Sequence, residues 1–249
     1  MGYYTQYMSY QLYQFPISHY CEKVRFALDY KGLEYSVKNL LPGIHARTTS
    51  KLGSSTSVPL LVCDGESIQG SAQIISFLDA RHEAQPLTPS DPDLRAEAMA
   101  WEQWLDSQVG KDVRLYCYDT LLNHRDIVSG FFTSDGPWWG PLYLKFGYSK
   151  LVRMMREHMG ITPESAEAAL QRTHSALDRL CAAYAEHKYL VGNRFSRADL
   201  AAAALFAPMF QPTQYGLAWP EVAPEPLQGA MDLMSPRLDW ARRIYADHR

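Results

Sequence analysis

A proline-rich stretch, HEAQPLTPSDP at residues 82–92, separates two parts of the chain that have different sequence patterns. Its three prolines in eleven residues fix backbone angles and remove hydrogen-bond donors, so a stiff linker without regular structure is expected. Strand and helix patterns alternate before this stretch, and every strong pattern after it is helical. We therefore predict an α/β domain over residues 1–83, a linker over 84–91 and an all-helical domain over 92–249.

Residues 1–83 carry the patterns of a small unit with the order β-α-β, an irregular stretch and then β-β-α. Alternating or tyrosine-rich runs are typical of strands, and apolar residues three or four apart are typical of helices. Asp64-Gly65 is a hairpin-turn pair, Gly32 is placed to end the first helix, and Ser71 is expected to cap the last one. These criteria predict a strand at 10–15, a helix at 20–30, a strand at 34–41, a hairpin at 58–68 and a helix at 71–82.

Residues 92–249 carry three clear signals for the start of a helix. Asp91 and Thr162 each stand directly before a proline, which places a capping side chain ahead of a residue suited to the first turn. Ser196 and Asp199 stand at the spacing of a capping box, with aspartate in place of glutamate. The helix that follows Asp91 is expected to run to about residue 122.

The segment 123–148 is rich in glycine and aromatic residues and is long for a connection between helices. Its apolar stretch, FFTSDGPWWGPLYLKF, is interrupted by an aspartate, glycines and two prolines. Two interpretations stay open: a lid over a cleft, or a surface that meets a membrane or a partner protein.

The composition is that of a soluble globular protein, with 47% apolar and 20% charged residues among 249. A net charge of −3 argues against a nucleic-acid surface, which needs clustered lysine and arginine. No window reaches the roughly 18 uninterrupted apolar residues of a transmembrane segment, and no signal peptide is visible. The four scattered cysteines predict neither disulfides nor a metal site, and they favour a reducing, cytoplasmic location.

Ser18 lies at the predicted start of the first helix, three residues before Cys21, in the stretch FPISHYCEKVRFALDYKG at 15–32. Unpaired N–H groups and the helix dipole make such a position favourable for an anion. A serine hydroxyl without an activating base is a poor nucleophile, but it can donate a hydrogen bond to a thiolate that a ligand brings. From these residues two interpretations stay open: Ser18 stabilises a bound thiolate, or it is only a helix cap.

Three segments of the chain together resemble the soluble glutathione transferases. They are SHYCEKVRFALDYKGLEYSV, SVPLLVCDGESIQGSAQIISFLDARH and, after the proline linker, YLVGNRFSRADLAAA. The resemblance runs in order through both predicted domains, from about residue 10 to 206. It implies a thioredoxin-like N-terminal domain followed by an all-helical C-terminal domain, a serine-type active site and a homodimer. It also implies glutathione as co-substrate, a small-molecule electrophile as second substrate, and no metal.

The resemblance assigns four residues to glutathione. Ser18 falls where serine-type members keep the residue that faces the glutathione sulfur, and Ser71 falls where the γ-glutamyl carboxylate is held. Val58 would pair its backbone with the cysteinyl part of glutathione, as one strand edge pairs with another. Pro59 would be the cis proline that holds this backbone outward.

One departure from the family pattern concerns the γ-glutamyl ammonium. Members of the family usually carry a carboxylate residue immediately before the serine that matches Ser71, but this chain has Gly70, preceded by Gln69. A neutral amide is a weaker partner for an ammonium than a carboxylate, so weaker glutathione binding is expected, by about 1–2 kcal/mol. Asp106 of a neighbouring subunit is a candidate replacement.

The second substrate is expected between the two domains, against the first helices of the second one. A stripe of apolar residues along that helix, from Trp101 to Tyr116, is more often core than binding site. Aromatic side chains with a polar edge suit planar apolar electrophiles better. The predicted electrophile site comprises His19, Tyr20, Tyr116, Trp138 and Trp139, with Tyr118 as a further candidate.

Three functions are compatible with the sequence. The first is an enzyme that activates the glutathione thiolate for attack on an electrophile, by conjugation, isomerisation or dehalogenation. The second is a non-catalytic member of the same fold that carries ligands or binds partners. The third is a thiol–disulfide enzyme that works through Cys21 alone, although a cysteine one turn into such a helix is more often a buried apolar side chain.

Overall fold

The computed structural model describes residues 9–249, which form an α/β domain followed by a helical domain, as predicted. The α/β domain has a four-stranded sheet of order β2-β1-β3-β4, in which only the β1–β2 pair is parallel. Its elements are β1 (Tyr10–Gln14), α1 (His19–Tyr30), β2 (Tyr35–Asn39), α2 (His45–Leu52), β3 (Leu60–Cys63), β4 (Glu66–Gln69) and α3 (Ser71–Arg81).

The helical domain begins with one long interrupted helix. Its first part, α4, continues through a single π-helical turn, Leu105–Val109, into α5. The helices are α4 (Pro92–Trp104), α5 (Gly110–Leu121), α6 (Arg125–Thr133), α7 (Gly140–Met159), α8 (Pro163–Glu186), α9 (Arg197–Phe210), α10 (Leu227–Met234) and α11 (Asp239–His248).

The helix-start signals of the second domain are confirmed. The Asp91 side chain accepts hydrogen bonds from the backbone N–H groups of Asp93 and Leu94, each at 3.0 Å. Thr162 forms a capping box at the start of α8, and Ser196 forms one with Asp199 at the start of α9. Local side-chain chemistry thus sets where these helices begin.

Two expectations about local structure are wrong. Ser71 is the first residue of α3 and not its cap; Gly70 occupies the cap position, with a φ of +98° that favours glycine. The segment 123–148 is largely helical, because it contains α6 and the first half of α7. The buried side chains of Val128, Phe131 and Phe132 recur at helical spacing in α6 and give that helix an apolar face.

Buried ion pairs connect the two domains. The Lys23 ammonium on α1 lies 2.7 Å from carboxylate oxygens of both Glu102 and Asp106. Arg197, at the start of α9, pairs with Glu102 at 2.6 Å and donates a hydrogen bond to the backbone of Ala72 on α3. Because both domains contribute to this network, their relative position is fixed by buried charges as well as by apolar packing.

The described part of the chain contains neither a membrane-spanning helix nor a metal-binding group. None of its helices combines the length and the apolar composition needed to cross a bilayer. Within residues 9–249, histidine, cysteine and carboxylate side chains do not gather in a group able to hold a metal ion.

Candidate functional site

A cavity of about 430 Å³ lies between the two domains. The α/β domain lines it with the loop from β1 to α1, the start of α2 and the residues just before β3. The helical domain lines it with α5, α6, the end of α7 and the residues that follow α9. Much of its wall is apolar, with Phe131, Met154 and Trp219 among the large side chains. Such a cavity suits a small apolar ligand held against a few polar groups.

Ser18 lines this cavity and caps α1. Its Oγ accepts a hydrogen bond from the backbone N–H of Cys21 at 3.4 Å, which uses a lone pair of the oxygen. The hydroxyl hydrogen is left to donate elsewhere. The first turn of α1 also directs its N–H groups towards this end of the helix, where they favour an anion. Capping and thiolate stabilisation are therefore compatible roles for the same hydroxyl.

Val58 lies on the cavity wall immediately before β3, and the peptide bond between Val58 and Pro59 is cis. Within residues 9–249, the backbone N–H and C=O of Val58 make no hydrogen bond. They are therefore available to an extended ligand that adds to the end of this strand.

The three residues expected at the γ-glutamyl end of glutathione, Gln69, Gly70 and Ser71, lie next to each other at the end of β4 and the start of α3, outside the cavity lining. Ser71 is buried at the first position of α3. The Gln69 carboxamide accepts from the N–H of Ser55 at 2.9 Å and donates to the carbonyls of Ser55 and Ser57. These hydrogen bonds hold the backbone of the segment that leads to Val58.

Gly70 is covered by a side chain that the sequence did not single out. A Cβ atom placed on Gly70 would overlap Oε1 of Gln73, so the Gln73 carboxamide fills the space where a side chain at position 70 would begin. Asp106, the other candidate for this role, is held by Lys23 of its own chain at 2.7 and 2.8 Å. The sequence analysis did not identify Gln73, which is the third residue of α3.

His19 and Tyr20 both line the cavity, as the predicted electrophile site requires. His19 is 4% exposed, and burial, together with the positive charge of Arg114, lowers its pKa to about 3. Its Nε2 has no hydrogen-bond partner within the described chain. The Tyr20 hydroxyl donates to the carbonyl of Asp106 at 2.7 Å, in the π-helical turn. The imidazole is therefore neutral near pH 7, and the tyrosine is anchored.

Three other predicted electrophile residues do not reach this cavity. The Tyr116 ring is buried and its hydroxyl donates to the carbonyl of Pro226 at 3.3 Å. The Trp138 side chain is 90% exposed, and Trp139 packs edge-on against Tyr143. None of the three belongs to the cavity lining, whereas Tyr118 does.

The helix face that carries Tyr118 also brings Arg114, Cys117 and Leu121 to the cavity. These residues follow each other at helical spacing, so extending the pattern one turn in each direction from Tyr118 would have found them. Burial raises the pKa of the Cys117 thiol to about 12, which leaves it protonated near pH 7.

Cys21 is fully buried, and burial raises the pKa of its thiol. Reactive cysteines are accessible and have lowered pKa values, so these observations favour the interpretation of Cys21 as an apolar core side chain. The thiol–disulfide function is not supported by this environment.

Comparison with protein families gives two matches that together cover more than half of the chain. Residues 12–86 match the model described as glutathione S-transferase, N-terminal domain, and residues 149–224 match glutathione S-transferase, C-terminal domain.

Two curated relatives illustrate the level of similarity. Glutathione S-transferase 1 of Dianthus caryophyllus is 30% identical over 60% of this chain and 66% of its own length. A probable maleylacetoacetate isomerase of Caenorhabditis elegans is 29% identical over 55% of this chain and 62% of its own length. This chain therefore spans less than two thirds of the length of these relatives.

Solved structures share the fold over nearly the whole chain. A glutathione S-transferase from Methylobacterium radiotolerans, in complex with glutathione sulfonate, superposes with a TM-score of 0.58 and 23% identity over 96% of this chain and 94% of that one. A beta-etherase from Sphingobium superposes with a TM-score of 0.60 and 18% identity over 96% and 99%. With both family domains matched in order on this fold, the chain belongs to the glutathione S-transferase family.

Proposed function

We propose that the protein is a glutathione transferase, which binds glutathione at the start of α1 and promotes attack of its thiolate on a small electrophile. The observation that carries the proposal is the position of Ser18, whose hydroxyl caps α1 and lines a largely apolar cavity between the domains. The sulfur that reacts belongs to the ligand, and the serine donates a hydrogen bond to it without reacting.

The environment of Ser18 is suited to lowering the pKa of a bound thiol. A free thiol with a pKa of about 8.5 is mostly protonated at neutral pH. A hydrogen bond to a charged acceptor is worth about 1.5–3 kcal/mol, and one pKa unit corresponds to about 1.4 kcal/mol. The Ser18 hydroxyl would therefore lower the thiol pKa by about one to two units, and the thiolate becomes the main species at pH 7 once this shift exceeds about 1.5 units.

The rest of glutathione would extend along the α/β domain. The free backbone groups of Val58 would pair with the cysteinyl residue, and Ser71 at the start of α3 would hold the γ-glutamyl carboxylate. The Gln73 carboxamide, which covers Gly70, would accept from the γ-glutamyl ammonium in place of a carboxylate. A neutral acceptor at this place predicts weaker glutathione binding than a carboxylate would give.

The same activated sulfur serves several reactions. The relatives named above include a glutathione S-transferase and a probable maleylacetoacetate isomerase, and a beta-etherase shares the fold. Conjugation is the simplest outcome, since it needs only the thiolate and an electrophile. We also infer a homodimer in a reducing, cytoplasmic environment, and light scattering of the purified protein tests the dimer.

The central test compares Ser18→Ala with Thr162→Ala. Both variants remove the side-chain cap of a helix, which costs about 1 kcal/mol of stability, but Thr162 caps α8 on the outside of the helical domain. For Ser18→Ala we expect the kcat/KM for 1-chloro-2,4-dinitrobenzene to fall about 10- to 100-fold, because the thiolate loses one charge-assisted hydrogen bond. The pKa of bound glutathione, followed by thiolate absorbance, should rise in parallel.

Thr162→Ala should keep the activity and the bound-thiol pKa of the wild type. Equal activity of Ser18→Ala and wild type would show that the serine has only its capping role. A wild-type protein that is retained on immobilised glutathione but turns over no electrophile would instead support a non-catalytic ligand carrier.

A further inference from the structure

Arg114 is a cation without a counter-ion in the wall of the cavity. It lies on α5, lines the cavity, and its Nε is buried with no hydrogen-bond partner within residues 9–249. Its guanidinium approaches the Tyr20 ring, with Cζ 5.9 Å from the ring centroid. A guanidinium that is partly removed from water is stabilised by an anion, and no side chain of the described chain supplies one here.

The three carboxylates nearest in sequence to this arginine are each paired with another cation. The pairs are Asp112 with Arg172 at 2.6 Å, Asp119 with Arg156 at 2.9 Å, and Asp106 with Lys23 at 2.7 Å. All three pairs lie outside the cavity lining. The arrangement leaves the charge of Arg114 available to a ligand.

Among residues 9–249, the rest of the cavity lining also lacks negatively charged side chains. Within the described chain, the cavity wall contains Arg114 and the histidines His19, His45 and His158 but neither aspartate nor glutamate. His19 Nε2 and His45 Nδ1 are buried and lack hydrogen-bond partners among residues 9–249. Apart from Gln211, the other large side chains of the lining are aromatic or apolar. The wall is therefore complementary to a molecule with an apolar body and one negative group.

We propose that Arg114 binds a carboxylate on the electrophilic substrate, so that the preferred second substrates are apolar or aromatic acids. This inference rests on the proposed function for the reaction, but the binding it describes can be measured without turnover. A planar guanidinium binds a carboxylate through two parallel hydrogen bonds, which fixes the orientation of the acid as well as its affinity. The acid would then present its reactive carbon to the sulfur held at Ser18, across the cavity.

The test uses 4-chloro-3-nitrobenzoate and its neutral methyl ester. In both, the glutathione sulfur forms a bond to the ring carbon that carries chlorine, and chloride leaves with the electrons of the broken bond. The thiol proton is released to solvent. We measure kcat/KM for both compounds in wild type, Arg114→Met and Arg114→Lys. In Arg114→Met the ratio of acid to ester should fall about 10- to 100-fold, mainly through KM for the acid. Arg114→Lys should recover part of this loss.

Arg153→Met is the matched control, because Arg153 is an exposed arginine of α7 outside the cavity lining. It should leave the acid-to-ester ratio of the wild type unchanged. An equal loss for acid and ester in Arg114→Met would overturn the inference. A raised KM for glutathione in place of a raised KM for the acid would also overturn it, since Arg114 would then bind a carboxylate of glutathione.

Calorimetric titration with unreactive 3-nitrobenzoate separates this inference from the proposed function. Binding to wild type that is lost in Arg114→Met, with no turnover of either chloro compound, would support the anion site and contradict the transferase. If the ester is turned over and 3-nitrobenzoate binds wild type and Arg114→Met with equal affinity, the result would support the transferase function and contradict the anion site at Arg114.

Discussion

Ser18 and Arg114 are the polar side chains of the cavity wall on which the two proposals above depend. The resemblance to the glutathione transferases implies a site at Ser18 and a cis Val58–Pro59 bond; the bond is cis in the structure, and Ser18 and Val58 line the same cavity. Arg114 and Gln73 have no motif. Their proposed roles depend on which side chain lacks a partner and which one fills the space above a glycine, and neither property is visible before the chain is folded.

His19 gives a prediction at this scale. Its pKa is about 3 in the folded protein, against about 6.5 in an unfolded chain, so between these values only the unfolded state takes up the proton. Above pH 6.5 His19 is neutral in both states and does not oppose folding. As the pH falls below that value, protonation of the unfolded state lowers the free energy of unfolding. Between pH 7 and pH 5, His19 should cost the wild type about 2 kcal/mol of unfolding free energy.

Urea denaturation of wild type and His19→Gln at the two pH values checks this. The variant lacks the titrating group, so its unfolding free energy should fall by about 2 kcal/mol less than that of the wild type. An identical decrease in both proteins would show that His19 is protonated as easily in the folded as in the unfolded state.

At the level of elements, the sequence predicts the presence of a long helix better than it predicts a break within that helix. The apolar pattern runs without a break from α4 into α5, so the π-helical turn between them leaves no signal. For α6 and α7 the error is the opposite one: the glycines and prolines of 123–148 indicate a loop between helices, but the segment is largely helical. In the structure, one of these prolines lies in the first turn of α7, where proline is tolerated.

Gly110 and Gly147 offer a matched pair in two helices. A Cβ on Gly110 would lie 2.6 Å from the Tyr20 hydroxyl and 3.1 Å from Leu205, and the hydroxyl is held in place by the carbonyl of Asp106. We expect Gly110→Ala to destabilise the protein by about 1–3 kcal/mol through overpacking. A Cβ on Gly147 meets nothing within 4 Å, so Gly147→Ala should stabilise it by about 0.5–1 kcal/mol.

Thermal denaturation of the two variants measures both effects. Opposite shifts in Tm are expected, downward for Gly110→Ala and upward for Gly147→Ala. An upward shift in both variants would mean that helix propensity, and not the contact between α1 and α5, determines the outcome, and a downward shift for Gly147→Ala would contradict the gain expected from propensity.

For the whole molecule, the division into two domains and their order could be predicted, but their attachment could not. The proline-rich stretch and the change from alternating strand and helix patterns to helical patterns mark the position of the domain boundary along the sequence. The ion pairs that join the domains involve Lys23, Glu102 and Arg197, which are far apart in sequence. Charged residues of these types are usually exposed, so none of the three would be expected in the interior from its identity alone. Pairing over such distances depends on tertiary packing, which no local pattern encodes.

Glu102→Gln tests this connection. Glu102 is 3% exposed and neutralises part of the charge of two buried cations, so its replacement should cost about 3 kcal/mol of unfolding free energy. Asp178→Asn is the control, since Asp178 is 75% exposed where it pairs with Arg237 and should cost less than about 1 kcal/mol. Urea denaturation measures both, and equal losses would contradict a special role for the buried network.

The Cys117 thiol in the cavity wall has a consequence for the chemistry proposed above. An alkylating compound that enters the cavity meets two sulfurs, one fixed in the protein and one carried in by the tripeptide. Because burial keeps the resident sulfur protonated, it is a poor competitor for the incoming carbon. The protein would thus survive repeated exposure to compounds that modify ordinary thiols, and damage would fall on the ligand that is replaced after every turnover.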